Sequence, residues 1–300
     1  MTVRIHIGAH KTATTELQRA LRTVRRQLEA GGTPFVGPSA LRGRWISLPN
    51  ALFRDDPELR GQAERRLRRW LRRHQNHVIS EENILGSVHR RRIFGDGNRL
   101  YPEAAANVTR LCALMGGPET ELFLSIRDPA EFVTSAYGQL LREGVAMGIE
   151  DYVEGYDVSS FSWAELVGRL TECDGVTGVT CWRYEDYAEL RPRILSLLVG
   201  EELAGVVPAA ESHNMGISAA AYDQFMAWIL DDMDEPFTDL LARARAQHPK
   251  TAGDPGMRPL PPEVYARSRS AYPGDVAALQ ALPGVTLLLP ESGADSDKPA

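Results

Sequence analysis

The chain has 300 residues, of which 43% are hydrophobic, and 34 Lys and Arg against 40 Asp and Glu give a formal net charge of −6. This size suits one large α/β core, and the acidic balance argues against general nucleic-acid binding. Without an apolar run of membrane or signal-peptide length, we expect a cytoplasmic protein. Three cysteines without metal-like spacing argue against a disulfide framework or zinc site.

The first predicted element is a short strand that leads through a hydroxyl-rich loop into a helix. Val3, Ile5 and Ile7 alternate as strand residues, and Gly8 permits a tight turn after them. The free N–H groups and the positive dipole end of a helix start suit a phosphate or sulfate, and Lys11 would add an ammonium group. The loop is therefore a predicted anion site, with ordinary helix capping as the alternative.

The composition of the loop narrows the kind of anion site. The chain has only three lysines, Lys11, Lys250 and Lys298, so a lysine inside the loop favours a functional role. The nucleoside triphosphatase pattern G-x-x-x-x-G-K-[ST] is not met, because no second glycine precedes Lys11. This departure makes a plain ATPase or GTPase less favoured.

A buried strand that starts near His77 runs into two acids, Glu81 and Glu82. Ligands of open parallel sheets lie at the carboxyl ends of the strands, so an acid there could face a reaction centre. Strand alternation would send the two side chains to opposite sides, so at most one should do so. The alternative is a pair of acids that stabilises a helix start.

A strand over residues 120–126 feeds Arg127, and Asp128 and Pro129 then start a helix that carries Ser135. Strands and helices alternate throughout, which predicts an α/β fold of three layers with a mainly parallel central sheet flanked by helices. We expect one domain over residues 1–290 and a disordered polar tail over 291–300. The other predicted strands are 33–36, 176–182 and 285–289. The other predicted helices are 14–30, 57–73, 101–115, 161–173, 187–199, 219–233 and 259–282, the last broken near Pro273; residues 37–49, 86–100 and 144–160 are predicted loops.

Two of these strand-to-helix junctions resemble the motifs of sulfotransferases. Residues 6–15, His-Ile-Gly-Ala-His-Lys-Thr-Ala-Thr-Thr, resemble the loop that binds the 5′-phosphosulfate of 3′-phosphoadenosine 5′-phosphosulfate (PAPS). Residues 121–137 resemble the 3′-phosphate element, although relatives often carry another Arg or similar polar residue near Phe132. The resemblance is to bacterial, carbohydrate-type members and implies a P-loop-like fold. It also implies sulfuryl transfer from PAPS to an acceptor hydroxyl, on a carbohydrate rather than a small phenol.

The resemblance also implies roles for individual residues. Lys11 would neutralise charge on the leaving oxygen, and Glu82 would take the proton of the acceptor hydroxyl, with Glu81 behind it and His10 as the alternative base. No metal is required, and residues 214–218 resemble a loop that could reach the adenosine or the acceptor. The implied donor-binding residues are Gly8, Lys11, Thr12, Ala13, Thr14, Thr15, Arg127 and Ser135.

Three alternatives stay open at this point. A P-loop nucleotide kinase would need Mg²⁺ ligands beside a G-K-[ST] loop, and neither is evident. A non-catalytic nucleotide- or glycan-binding relative would keep the fold without turnover. The arginine-rich segments 60–73 and 90–92 could bind nucleic acid, steer an anion, or form solvated helix faces.

Overall fold

The computed structural model describes residues 1–54, 56–209, 216–231, 235–251 and 253–291. Its main feature is a six-stranded sheet in the order β2-β3-β1-β6-β7-β8, in which every neighbouring pair is parallel. Strands β4 and β5 form a separate antiparallel pair. The strands are β1 (Thr2–His6), β2 (Phe35–Val36), β3 (Asn76–Ser80), β4 (Phe94–Gly95), β5 (Arg99–Leu100), β6 (Glu119–Ile126), β7 (Val176–Arg183) and β8 (Val285–Leu288).

Helices cover both faces of the sheet. They are α1 (Thr14–Thr23), α2 (Arg25–Ala30), α3 (Pro38–Leu41), α4 (Leu48–Phe53), α5 (Pro57–Leu71), α6 (Arg90–Ile93), α7 (Ala104–Met115), α8 (Pro129–Arg142), α9 (Ile149–Val153), α10 (Trp163–Thr171), α11 (Tyr187–Val199), α12 (Glu201–Ala204), α13 (Ala219–Leu230), α14 (Phe237–Gln247) and α15 (Pro262–Gln280). Short 3₁₀ turns lie at Glu82–Ile84, Val158–Ser160 and Tyr184–Asp186.

Alternation along the strands divides the apolar residues between two cores. On β6, Leu122 and Leu124 join the larger core, whereas Phe123 between them joins the smaller one with α1, α2 and α11. The larger core is completed by helices that include α5, α7, α8 and α10. Burial on both faces is what a parallel sheet requires, and the predicted three-layer α/β fold is confirmed.

The order of the strands decides where the candidate residues meet. Strand β1 lies between β3 and β6, so the loop after His6, the acids after Ser80 and Arg127 after β6 leave the sheet at the same edge. Residues separated by more than a hundred positions along the chain therefore gather at the carboxyl ends of three adjacent strands.

Several predicted elements differ from the observed ones. Val24 ends α1, so the predicted helix over 14–30 is two helices, and the predicted loops contain α3, the start of α4, α6, α9 and the β4–β5 pair. Helix α14 was not predicted. Helix α15 continues through Pro273, and the following turn holds Asp275, whose carboxylate accepts hydrogen bonds from the N-terminal turn of α10. This tertiary contact stabilises a helix that Pro273 alone would interrupt.

All three cysteines are buried and unpaired. Within the described ranges, no helix is both long enough and apolar enough to cross a membrane. Asn214 of the predicted adenosine or acceptor loop and residues 292–300 of the predicted tail lie outside the described residues.

Candidate functional site

A cavity of about 1050 Å³ opens at the carboxyl edge of the sheet. Among the described residues that line it, seven are Lys or Arg and five are Glu, so it is locally cationic although the chain is acidic. The predicted site residues that line it are His10, Lys11, Thr12, Ala13, Thr14, Thr15, Glu82, Arg127 and Ser135. Gly8 and Glu81 lie behind this surface. Segments far apart in the sequence therefore share one cavity.

The loop between β1 and α1 is held in a tight left-handed conformation. Gly8, Lys11 and Ala13 have φ angles of 44°, 67° and 63°. A Cβ atom on Gly8 would lie 2.4 Å from the Thr14 hydroxyl oxygen, so only glycine fits there. Residues with a side chain are strained in the left-handed region of φ, and Lys11 and Ala13 both lie there. Such strain is typical of sites where the backbone must face a ligand.

The three loop threonines have different roles in this geometry. Thr12 and Thr14 are buried, and their hydroxyls donate to the Ala9 carbonyl at 2.7 and 3.2 Å. Thr15 is half-buried and, among the described residues, its hydroxyl has no protein partner. The N–H groups of Thr14 and Thr15 precede the first helical hydrogen bond, which Glu16 donates to the Ala13 carbonyl. Two threonines hold the loop together, and the third presents a hydroxyl at the cavity.

Lys11 stands in a cationic environment inside the cavity. Burial, followed by the charges of Arg142 and Arg127, lowers the pKa of Lys11 from 10.5 to about 8. No carboxylate of the described residues forms an ion pair with Lys11. An anion bound beside it would offset this mutual repulsion, so the charge arrangement would suit an anion.

Arg127 connects the second motif to the loop. Its Nη1 donates to the Lys11 carbonyl at 3.1 Å, and its guanidinium lies 4.6 Å from the ring centre of Tyr184. The carbonyl of Arg127 accepts a 2.7 Å hydrogen bond from Trp163 Nε1. The guanidinium is thus held by the Lys11 carbonyl and the Tyr184 ring, and the backbone of Arg127 is held by Trp163. Arg127 still lines the cavity, and Ser135 lines it from α8.

The turn after Arg127 is supported by the C-terminal helix. Asp128 caps α8 by accepting from the Ala130 and Glu131 N–H groups, and the fully buried Ser268 of α15 donates to the same carboxylate at 2.9 Å. Glu185 accepts from the Asp128 N–H at 3.1 Å. These contacts show an architectural role for Glu185, which also lines the cavity.

The two acids after β3 occupy different environments. The side chain of Glu81 is only 2% exposed. Its two carboxylate oxygens accept hydrogen bonds from Arg42 Nη2 and Nε, at 2.6 and 2.8 Å. Burial raises the pKa of Glu81 despite this partner. Glu82 lines the cavity and accepts from Gln18 at 2.7 Å and from Arg42 at 2.9 Å.

The ionisation of Glu82 reflects competing effects. Burial alone would raise its pKa, but the hydrogen bond from Gln18 and the charge of Arg42 outweigh burial, so the pKa of Glu82 lies below its ordinary value. The carboxylate is therefore ionised at neutral pH and held in one orientation by two side chains.

His10 is enclosed in a hydrogen-bond network. Its backbone N–H donates to the Tyr101 hydroxyl, which in turn can donate to Nδ1 at 2.8 Å, leaving Nε2 to donate to Asn83 Oδ1 at 3.1 Å. Burial is the main cause that lowers the pKa of His10. The ring is therefore neutral, and both of its nitrogens are engaged in fixing the loop.

Several residues of this site carried no recognisable sequence signal. Arg42 lies in the segment predicted as a loop, and Gln18 is one of many polar helix residues. Tyr184 directly follows β7, and nothing in the sequence around it predicts a contact with Arg127. Phe132, where relatives often carry a polar residue, is fully buried and packs edge-on against Trp163. It therefore belongs to the core.

The described residues contain no group of three or more His, Cys, Asp or Glu placed to hold a metal ion. No model of a known protein family matches the chain. No curated protein matches it either. Among solved structures, the chain is similar to the crystal structure of a sulfotransferase from Alicyclobacillus acidocaldarius, with 14% identity over 93% of this chain and 94% of that one, and a TM-score of 0.45. A likeness this distant carries no functional argument, so a functional assignment depends on the cavity itself.

Proposed function

We propose that this protein transfers a sulfuryl group from PAPS to an acceptor hydroxyl. The observation that carries the proposal is the meeting of Lys11, Arg127, Ser135 and Glu82 in one cavity. These residues come from the ends of three adjacent strands and from the helix that follows the third. They combine groups suited to two anions with a group suited to accept a proton, which is what sulfuryl transfer needs.

The cavity fits a donor with anionic groups at both ends. A volume of about 1050 Å³ is enough for a nucleotide and part of an acceptor. The N–H groups of Thr14 and Thr15, the Thr15 hydroxyl and Lys11 would hold the 5′-phosphosulfate. Arg127 and Ser135 would hold the 3′-phosphate by a guanidinium fork and a hydroxyl. Gly8 supports this fit, because it leaves room for the loop to close against Thr14.

PAPS, when bound, supplies the sulfuryl group and a bisphosphate that can leave. Protonated Lys11 would stabilise negative charge at the oxygen where the bond to sulfur breaks. The strained loop keeps this ammonium and the helix-start N–H groups in place before the reaction, so positioning and electrostatics supply much of the rate.

Glu82 is the candidate base. A hydroxyl is a poor nucleophile until it loses its proton, and Glu82 is ionised, oriented and exposed to the cavity. Gln18 and Arg42 occupy part of its lone pairs, which lowers its basicity but fixes its direction. His10 is less suited, because both of its ring nitrogens already have partners. Glu81 is less suited as well, because Arg42 and the core enclose it.

The lining favours a polar acceptor such as a carbohydrate. Among the described lining residues, the larger aliphatic side chains are Val88, Ile217 and Met257, and most others are charged or hydroxyl-bearing. A small phenol would be expected to occupy an apolar slot, whereas sugar hydroxyls can exchange hydrogen bonds with such a surface. A carbohydrate or glycoconjugate hydroxyl is therefore the proposed acceptor.

Isothermal titration calorimetry with adenosine 3′,5′-bisphosphate tests the donor site. We expect tight binding that weakens at least tenfold for 5′-AMP, because the contacts of Arg127 and Ser135 would be lost. Lys11→Ala and Arg127→Ala should each weaken bisphosphate binding, while exposed Arg269→Ala should bind like the wild type. Circular dichroism of each variant separates lost contacts from lost folding.

Two results would contradict the proposal. Equal affinity for the bisphosphate and 5′-AMP would show that the protein does not bind the 3′-phosphate. A preference for ATP with Mg²⁺ would favour the kinase alternative.

A further inference from the structure

The wall of the cavity formed by the C-terminal half of α8 and the segment after α14 carries a second group of cations. Arg142 and Lys250 line the main cavity. An adjoining recess of about 170 Å³ shares Gly216 and Lys250 with it and is also lined by Arg245 and His248. We call Arg142, Arg245 and Lys250 the distal cation cluster.

The distal cation cluster is only partly neutralised within the described part of the chain, by the charge of Glu143 on Arg142 and by that of Asp254 near Lys250. No carboxylate there forms an ion pair with any of its three members, whereas neighbouring Arg258 pairs with Glu131 at 3.0 Å. Among the described residues, the hydrogen bond that Lys250 donates goes to the Asp254 carbonyl, at 3.0 Å. Three cations that line adjoining cavities without an ion pair favour an anion bound beside them.

Arg142 is held so that its charge faces the cavity. Its Nε donates to the Gly138 carbonyl one turn earlier, at 3.2 Å, which directs the side chain back along α8. Burial, and after it the charge of Arg245, lowers the pKa of Arg142. Arg142 is also the cation with the largest effect on Lys11, so its charge reaches the proposed transfer site.

We propose that the distal cation cluster binds an anionic group of the acceptor, such as a carboxylate or a sulfate ester on a sugar. This inference rests on the proposed function and adds the substrate class. The anionic groups of the donor are already assigned binding partners, namely Lys11, Thr15, Arg127 and Ser135. The cluster therefore offers charge for a second ligand that enters from the other wall, with its hydroxyl directed toward Glu82.

Three p-nitrophenyl glycosides test the inference: the neutral β-D-glucoside, the β-D-glucuronide and the glucoside sulfated at O6. Each is titrated by calorimetry into the protein with and without saturating adenosine 3′,5′-bisphosphate. We expect at least one charged glycoside to bind about tenfold or more tightly than the neutral one. Arg245→Gln should bring this ratio toward one without changing bisphosphate affinity, because Arg245 lines only the adjoining recess. Arg142→Gln should also bring the ratio toward one, and because its charge acts on Lys11 it should shift bisphosphate affinity as well. Arg269→Gln, an exposed control, should retain the ratio.

Equal binding of all three glycosides, or no binding of either charged one, would overturn the inference. So would a loss of bisphosphate affinity in Arg245→Gln, because the cluster would then belong to the donor. Failure of the wild type to bind the bisphosphate would instead contradict the proposed function. The titrations without nucleotide would still report on the anionic preference.

Discussion

At the scale of single residues, the side chains of the loop after β1 fall into two groups. Some keep the loop in shape, and others are available to a ligand in the cavity. Internal hydrogen bonds engage the polar side-chain atoms of Thr12, Thr14 and His10. The side chains of Lys11 and Thr15 face the cavity. Sequence similarity treats these neighbours as one motif. The geometry predicts that substitutions among them will have different kinds of effect.

Lys11 should give bisphosphate binding an alkaline limit. Because its pKa lies at about 8 rather than 10.5, the ammonium is lost as the pH rises through 8. If binding requires the protonated form, affinity should fall about tenfold between pH 7 and 9. Lys11→Arg should flatten this dependence, since a guanidinium stays charged. Calorimetry across this pH range checks the prediction, and an equally steep fall in Lys11→Arg would assign the titration to another group.

Thr12→Val and Thr15→Val form a matched pair. Thr12→Val removes the buried bond to the Ala9 carbonyl and should lower the free energy of unfolding by about 1 kcal/mol. Thr15→Val should leave stability nearly unchanged and weaken bisphosphate binding several-fold. Urea unfolding and calorimetry measure the two effects. The assignment of roles fails if Thr15→Val proves the less stable variant and binds normally.

Glu82→Gln should lower the turnover of a sulfuryl acceptor by about 10²- to 10⁴-fold, the range usual for loss of a general base. Bisphosphate affinity should stay close to that of the wild type, because Glu82 is not placed among the donor contacts. Transfer of labelled sulfate to the glycosides described above measures turnover, with exposed Glu263→Gln as control. Full activity of Glu82→Gln would exclude this base.

At the scale of elements, the segment between β2 and α4 is tied to the end of β3 by Arg42. This side chain is 39% exposed, yet it contacts both acids, one of them deep in the fold. The segment thereby helps to set the direction of Glu82. It is a structural partner of the candidate base as well as part of the cavity wall.

Arg42→Ala should destabilise the fold by about 2 kcal/mol, less than for a fully buried pair because Arg42 is partly exposed. The loss arises because the buried Glu81 carboxylate is left without its cation. Adding Glu81→Gln should recover much of this stability, since a neutral amide needs no counter-charge. A double-mutant cycle by urea unfolding measures the coupling, and additive losses would show that Arg42 and Glu81 act independently.

The elements differ in how well the sequence predicts them. The strands around β1 and β6 combine strong apolar patterns with Gly or Pro at their ends, and their positions follow from local rules. Arg42, Gln18 and Ser268 act through contacts between distant segments, which no periodicity encodes. The unbroken α15 illustrates the same limit, because packing against α10 outweighs a local helix breaker.

At the scale of the molecule, the cavity collects side chains from His10 to Arg258. Its walls come from the ends of β1, β3, β6 and β7, from α8 and from the segment after α14. Donor binding should therefore stabilise the fold as a whole, since the ligand contacts form only when these parts are assembled.

Adenosine 3′,5′-bisphosphate at a hundred times its dissociation constant should raise the free energy of unfolding by about 2.7 kcal/mol and the melting temperature by about 5 °C. Hydrogen exchange should slow together in the loop after β1 and in the N-terminal turn of α8. Lys11→Ala should lose most of the thermal shift at the same ligand concentration. Protection confined to one of the two segments would mean that the ligand does not span the cavity.

The central position of β1 also bears on how the protein is made. Residues 2–6 leave the ribosome before their neighbours in the sheet, which are residues 76–80 and 119–126. At a synthesis rate of roughly 5–20 residues per second, the apolar first strand waits on the order of ten seconds for its second partner. During that interval an exposed segment rich in Val and Ile is a target for chaperones and for aggregation. Yield in cells should accordingly depend on the speed of translation between β1 and the end of β6.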